Sequence, residues 1–281
     1  MISVTPDSLD IVSSESPATA VSPPARDYVS FSAIRTYQTC PLKYYFRYVA
    51  GLPEETVSAS LVFGGAIHAA VEQHFRELLA GNSPPTLAEL REVYRAEWEQ
   101  RATESVQFGP SEDRDSLDTM SSLMLQAFQS SDAAQPPGRI LGVEEELRGP
   151  IIAGLPDILG RLDLISETPE CLVISDWKTS RARWTATQFE DAGEQLILYT
   201  ELAQDISPGK PFQVEFVVIT KTAKPAIQRE RLPVTASQVA RVRQVVQRVW
   251  SAITAGHFYP APSAMACGGC PYRGPCRAWE G

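Results

Sequence analysis

Apolar residues recur at intervals of three and four along much of the chain, the spacing of helices that bury one face. Hydroxyl side chains that can cap a helix mark several starts, most clearly in Thr86-x-x-Glu89, which has the form of a capping box. Pro41 is expected to break or restart the first helix, because proline lacks an amide hydrogen. The predicted helices are one opened by Ser30 or Ser32, one that follows Gly64-Gly65, and those over 86–103, 117–128, 187–205 and 235–256.

The pattern changes to short apolar runs rich in β-branched residues after residue 138. These runs predict strands over 140–148, 158–165, 171–176 and 212–220, with a partner strand over 226–232. Residues 166–170 are expected to join two of the strands as a hairpin. Helices, strands, a crossover helix, more strands and a closing helix together predict an α/β fold with a mixed central sheet flanked by helices.

Composition separates the first residues from the rest. Residues 1–26 are rich in Ser, Pro, Thr and Ala, and we predict that they are disordered because they lack the apolar side chains that offset the entropy of ordering. Residues 27–281 are predicted to form a single domain.

Several features argue for a cytoplasmic protein with no membrane partner. Residues 1–24 have neither the basic residue nor the apolar block of a secretory signal. No stretch approaches the roughly 18 consecutive apolar residues of a membrane-spanning helix. The chain has only 5 cysteines in 281 residues, which favours a reducing compartment.

Charge is distributed unevenly along the chain. The net charge of -9 argues against indiscriminate wrapping of nucleic acid. Nine basic residues against two acidic ones follow residue 220, so a local basic face remains compatible with a nucleic-acid substrate.

Two of the predicted strands carry a group of charged residues. Alternation along a strand places Asp176 and Lys178 on the same face. If the strands pair as a hairpin, Asp163 lies beside Asp176, and two adjacent carboxylates repel each other unless a cation lies between them. The arrangement therefore suits a divalent metal ion. The alternative is a simple salt bridge of Lys178 with either aspartate, because D-x-K is frequent by chance.

Three further residues can join this group. His68 lies near the apolar face of its helix, and its neutral imidazole could complete a metal site, although a buried, hydrogen-bonded histidine is the alternative. Gln195 and Tyr199 are four positions apart on the helix after the D-x-K strand, so they share one face and can reach the same pocket.

Taken in order, these residues resemble the successive motifs of PD-(D/E)xK nucleases of the RecB type. The resemblance spans about residues 28–277 and implies a restriction-endonuclease-like core. The matching motifs are Ser32-x4-Tyr37-x2-Cys40-Pro41, Gly64-x3-His68, Gly160-x2-Asp163, Asp176-x-Lys178 and Gln195-x3-Tyr199.

The resemblance implies metal-assisted hydrolysis of a DNA phosphodiester. Lys178 would position the attacking water and stabilise developing negative charge, while Gln195 and Tyr199 would contact nucleic acid or orient Lys178. A histidine among carboxylates suits Mn²⁺, so activity is expected with Mn²⁺ as well as Mg²⁺. The metal ligands that the resemblance implies are His68, Asp163, Asp176 and the backbone carbonyl oxygen of Trp177.

Four of the cysteines form a pattern of their own. Cys267-x2-Cys270-x5-Cys276 lies near the C-terminus and Cys40 far upstream, an arrangement similar to that of the AddB nuclease domain and the CRISPR-associated RecB-like exonucleases. In those proteins four thiolates hold a 4Fe-4S cluster, which implies a structural clasp between the chain ends. A four-cysteine zinc site is the competing interpretation, and disulfides are a third. Cys171, outside the pattern, is expected to be a small core residue.

Three functions follow from these features. The first is a single-strand-preferring DNA exonuclease of repair or recombination. The second is a CRISPR spacer-processing nuclease, which shares every motif, and the third is a non-catalytic iron-sulfur DNA-binding module. The chain lacks a G-x4-G-K-[ST] motif, so a separate helicase or pre-existing single strands would have to supply the substrate.

Overall fold

The computed structural model describes residues 27–54, 56–102 and 105–280, apart from the side chain of Met265. Residues 1–26, predicted to be disordered, lie outside the described residues. Among the described residues, none of the helices combines the length and the apolar composition that a bilayer crossing requires. The α-helices are α1 (Phe31–Thr39), α2 (Pro41–Tyr44), α3 (Ala59–Leu79), α4 (Leu87–Arg101), α5 (Arg114–Gln129), α6 (Ala186–Leu202), α7 (Ala236–Thr254), α8 (Ala264–Gly268) and α9 (Arg273–Arg277), and a π-helical turn, Tyr45–Val49, follows α2. The strands are β1 (Tyr28–Ser30), β2 (Thr56–Ser58), β3 (Ser105–Gln107), β4 (Arg139–Gly149), β5 (Asp157–Glu167), β6 (Leu172–Ser180), β7 (Phe212–Thr220) and β8 (Ile227–Pro233).

A mixed sheet forms the centre of the fold, which confirms the α/β prediction. Its order is β1-β5-β6-β7-β8, and β4 pairs with β5. The β6–β7 pair is parallel and is joined through α6, whereas β4–β5, β5–β6 and β7–β8 are antiparallel. The strands β2 and β3 form a separate parallel pair.

Helices cover both faces of this sheet. Along β7, Val214, Phe216 and Val218 pack into a core with buried residues of α1, α6 and α7. The alternate residues Val217 and Ile219 pack into a second core, with residues of α3, α4 and α5. A central strand buried on both faces explains the continuous apolar run of this segment.

Three predicted helix starts agree with the structure. Ser30 caps α1, and the expected interruption at Pro41 separates α1 from α2. Thr86 and Thr235 each form a capping box, at the starts of α4 and α7.

Two predicted boundaries were wrong. The helix expected to follow Gly64-Gly65 begins at Ala59, so both glycines lie within α3, where side chains of Thr179 and Arg101 approach them closely. The strand expected to end at Asp176 continues to Ser180, because its pairing with β7 extends that far. The three-residue strands β1, β2 and β3 and the short helices α8 and α9 were not predicted.

The C-terminal segment packs against the N-terminal helices. The amide of Leu42 donates to the carbonyl oxygen of Tyr259 at 3.0 Å, and the Tyr272 hydroxyl donates to the carbonyl oxygen of Leu52 at 3.3 Å. Leu42, Phe46 and Tyr272 form a small buried cluster at this junction. The two ends of the described chain therefore pack against each other through hydrogen bonds and apolar contacts.

Candidate active site

The centre of the site is a divergence between β5 and β6. Their pairing ends at Leu164 opposite Ser175, so Asp163 and Asp176 come next on each strand. On the side of β5, the amide of Trp177 donates to the Asp163 carboxylate, with a distance of 2.9 Å from N to Oδ2. The antiparallel pairing thus brings the two aspartates together, as expected from a hairpin of these strands.

His68 reaches this divergence from α3. Its Nε2 lies 3.1 Å from Asp163 Oδ2 and 2.8 Å from the carbonyl oxygen of Trp177. Burial lowers the pKa of His68, but the carboxylates of Asp163 and Glu144 outweigh that effect and hold the pKa well above its ordinary value. Positive charge is therefore favoured at this position.

Asp176 and Lys178 occupy the same face of β6. Lys178 Nζ lies 2.6 Å from Asp176 Oδ2, but without the alignment of a hydrogen bond, and this buried oxygen has no hydrogen-bond donor among the described residues. Burial raises the pKa of the Asp176 carboxyl to about 6, Lys178 opposes the shift and Asp163 adds to it. Burial lowers the pKa of Lys178, yet the two aspartates outweigh it and raise that pKa.

Gln195 and Tyr199 lie on α6 as an interacting pair. Gln195 Nε2 donates to the Tyr199 hydroxyl oxygen at 3.2 Å. Burial raises the pKa of Tyr199 to about 12, so the hydroxyl stays protonated at neutral pH. The Tyr199 ring lies against Gly160, where an added Cβ would come within 2.8 Å of Tyr199 Cδ1. The glycine of the G-x-x-D motif therefore makes room for this ring.

Glu144 joins the site, and the sequence did not single it out. The residue lies on β4 with a positive φ of 53°, and its Oε1 is 3.6 Å from His68 Nδ1. It belongs to the glutamate run 144–146, in which Glu144 faces His68 while Glu145 and Glu146 are exposed. The pairs on either side, Val143 with Leu164 and Glu145 with Leu162, place Glu144 beside Asp163, which the sequence alone does not show.

The donor set suits a divalent cation. His68, Glu144 and Asp163 each offer a ligand atom, and these three atoms lie within 4.8 Å of one another. Asp176 lies beside this group and faces Lys178. Three largely buried carboxylates beside one ammonium group leave excess negative charge, which a hard cation with oxygen and imidazole ligands would balance.

The four patterned cysteines line a single cavity of about 210 Å³ at the junction of the chain ends. Burial raises the pKa of Cys276, and the charge of the other three thiolates raises it further. Among the described residues, no three cysteine sulfurs lie within 4.8 Å of one another. Cys171 is buried away from this cavity, as expected for a core residue.

Comparison with solved structures supports the fold. A candidate exonuclease from Eubacterium rectale matches 90% of this chain and 88% of its own chain, at 14% identity and a TM-score of 0.55. The protein SSO0001 matches 88% of this chain and 95% of its own at 16% identity, but with a TM-score of 0.39, too low to support an inference. No curated protein matches the sequence significantly.

Comparison with protein families is more specific. The family model described as the PD-(D/E)XK nuclease superfamily matches residues 28–277, which include every residue of the site. The mixed sheet between two helical layers agrees with that match. The chain belongs to the PD-(D/E)XK nuclease superfamily.

Proposed function

We propose that this protein is a divalent-metal-dependent DNA exonuclease of the RecB type, which prefers single strands and acts in repair or recombination. The observation that carries the proposal is the convergence of His68, Asp163 and the Asp176–Lys178 pair at one divergence of the sheet. The motifs of the chain support the RecB type, and a reducing cytoplasm suits its free thiols. Single strands would come from a separate helicase or from existing ends.

The metal site would use His68, Glu144 and Asp163, with Asp176 and the carbonyl oxygen of Trp177 beside them. A bound Mg²⁺ or Mn²⁺ would lower the pKa of a water and offset negative charge on the phosphate. Trp177 N–H holds the Asp163 carboxylate in place, and the Asp163 carboxylate in turn orients the imidazole of His68.

Lys178 and Tyr199 would act on the substrate phosphate. Asp176 holds the Lys178 ammonium group in the site, where it would stabilise negative charge that develops on the phosphate oxygens. Because Gln195 donates to the Tyr199 oxygen, the Tyr199 hydroxyl hydrogen can be donated to a phosphate oxygen. These groups position the phosphate against the nucleophile.

The cavity between the four cysteines would hold a 4Fe-4S cluster. The cysteine pattern of the sequence supports this proposal, because each of the four thiolates could bind a different iron of one cluster. The four residues line one apolar space of about 210 Å³. A four-cysteine zinc site is the alternative.

Exonuclease activity and strand preference can be tested together. Linear single strands, circular single strands and linear blunt duplex of matched sequence are digested with Mg²⁺ and with Mn²⁺. We expect rapid digestion of the linear single strand and no digestion of the circular single strand. Equal cleavage of the circle would contradict exonuclease action, and faster cleavage of the duplex would contradict the strand preference.

Glu144→Gln is expected to weaken metal binding, because it removes the charge of one of three clustered ligand groups. The metal concentration for half-maximal cleavage should rise about tenfold. Glu145→Gln is the matched control, since Glu145 is exposed on the same strand. An unchanged metal requirement in Glu144→Gln would show that this carboxylate is no ligand.

Gly160→Ala is expected to displace the Tyr199 ring, since the new methyl group would overlap it. We expect cleavage to fall about tenfold and unfolding free energy to fall by about 1–3 kcal/mol, a typical cost of overpacking. Gly149→Ala is a suitable control, because an added Cβ there meets Leu202 at an ordinary 3.5 Å. Equal activity of the two variants would argue against a role for the Tyr199 position.

A further inference from the structure

An arginine side chain lies across the surface of the helix that carries His68. Arg101 is the last residue of α4, and its guanidinium group lies against Gly65 of α3. A Cβ added at Gly65 would come within 2.6 Å of Arg101 Cζ and Nε and 2.8 Å of Nη1. Gly65 leaves room for this contact, and a methyl group at position 65 would displace the guanidinium.

This contact places a cation beside the candidate metal site. Gly65 precedes His68 by three residues, so the two lie on neighbouring positions of one helical face, about 4.5 Å apart along the axis. The imidazole of His68 contacts Asp163. The Arg101 guanidinium therefore lies against α3 less than one helical turn before the residue that supplies the imidazole.

The guanidinium group retains donors for a ligand. Nε donates to Glu97 at 2.6 Å, and the hydrogen bonds of the described residues leave both terminal nitrogens without an acceptor. The side chain is 47% exposed. The planar arrangement of exposed N–H groups in a guanidinium suits the oxygens of a phosphate diester. Its positive charge would also offset the repulsion between that phosphate and the carboxylates of the site.

Two exposed apolar side chains flank Arg101. Leu61 is 63% exposed and lies one turn before Gly65 on α3. Phe108 is 37% exposed, and its ring stacks on Trp98, which precedes Arg101 by three residues on α4. Because Ser58 pairs with Gln107, Phe108 leaves the β2–β3 pair beside the start of α3. We call Leu61, Arg101 and Phe108 the α3–α4 rim.

We propose that the α3–α4 rim binds single-stranded nucleic acid as it reaches the metal site. Arg101 binds a backbone phosphate adjacent to the scissile one, and Leu61 and Phe108 contact unpaired bases. A cation beside apolar and aromatic surface is the combination that single-strand binders use. The inference rests on the proposed nuclease function, because it takes the strand to the same metal site.

The test measures binding of a 5′-fluorescein oligodeoxythymidine by fluorescence anisotropy, with Ca²⁺ in place of Mg²⁺ and over a series of salt concentrations. Arg101→Ala and the longer Arg101→Gln should each weaken binding about tenfold, the typical loss of a charged hydrogen bond. The slope of log K against log salt should fall by about 0.7, the value for one phosphate contact on a single strand.

Position and charge can be separated with two further variants. Gly65→Ala keeps the charge of Arg101 but displaces its guanidinium, and it should weaken binding in the same direction. Arg95→Ala is the matched control, because Arg95 is a similarly exposed residue of α4 whose guanidinium is held by Asp118.

The contact with unpaired bases has its own test. Phe108→Ala should weaken binding of oligodeoxythymidine but not of an abasic oligonucleotide of equal length.

The outcomes distinguish this inference from the proposed function. In one outcome, the wild type binds the strand, and folded Arg101→Ala and Arg101→Gln bind it with the same affinity and the same salt slope. That result would contradict binding at the α3–α4 rim and would leave the nuclease proposal standing. An equal loss in Arg95→Ala would also overturn it, since the effect would then reflect net charge alone. A wild type that binds no single strand and cleaves none would overturn both.

Discussion

Asp163→Asn is expected to reduce phosphodiester cleavage about a thousandfold, the scale on which one preorganised electrostatic group acts in an active site. The Asp163 carboxylate contacts His68 and accepts the Trp177 N–H, and an asparagine keeps an acceptor for that N–H while losing the charge. The fold should therefore survive while the metal site fails. Initial rates on an end-labelled single strand measure the effect.

Asp157→Asn provides the matched control on the same strand. Asp157 pairs with Arg148 near the surface, away from the divergence of β5 and β6. Its substitution should leave cleavage within about twofold, as is usual for an exposed ion pair. If Asp163→Asn retained activity comparable to that of Asp157→Asn, the assignment of this site would be wrong.

Cys276→Ser should give the second large effect, loss of the iron-sulfur cluster. Cys276 lines the cavity shared by the four cysteines, and a serine hydroxyl is a poor replacement for a thiolate on iron. The wild type, purified without oxygen, should be brown, with about four irons per chain and a broad absorption near roughly 400 nm. The variant should lose most of this colour and unfold at a lower temperature.

Cys171→Ser tests whether the effect is specific. Cys171 is buried near Thr168, with the thiol 3.4 Å from the Thr168 hydroxyl, and does not line the cavity. Its substitution should leave the iron content unchanged. A colourless wild type that carries one zinc per chain would contradict the cluster and leave the nuclease site to be judged separately.

The sequence predicted those features that depend on local rules. Thr86 and Thr235 predicted the starts of α4 and α7, because a capping box is formed by residues three positions apart. The Asp176–Lys178 pair followed from strand alternation, and the position of Asp163 beside it followed from the hairpin. Each of these inferences needs no knowledge of distant packing.

Contacts between residues of distant elements could not be predicted from the sequence. Glu144 lies in a run of three glutamates, and only its positive φ shows which member faces His68. Gly65 lies inside α3, and the guanidinium of Arg101 from α4 lies in the space that a side chain at position 65 would take. A residue whose role is to contact another helix or strand produces no periodic pattern in the sequence. Such a contact is therefore seen only in the folded structure.

The most direct test of the account is metal-dependent hydrolysis by the wild type. An end-labelled single strand is incubated with protein whose iron content has been measured, first in EDTA and then with Mg²⁺ or Mn²⁺ in excess. We expect no cleavage in EDTA and progressive shortening of the strand once either ion is present. Protein that contains its cluster and binds the strand, yet cleaves it with neither ion, would contradict the account and favour a non-catalytic DNA-binding module.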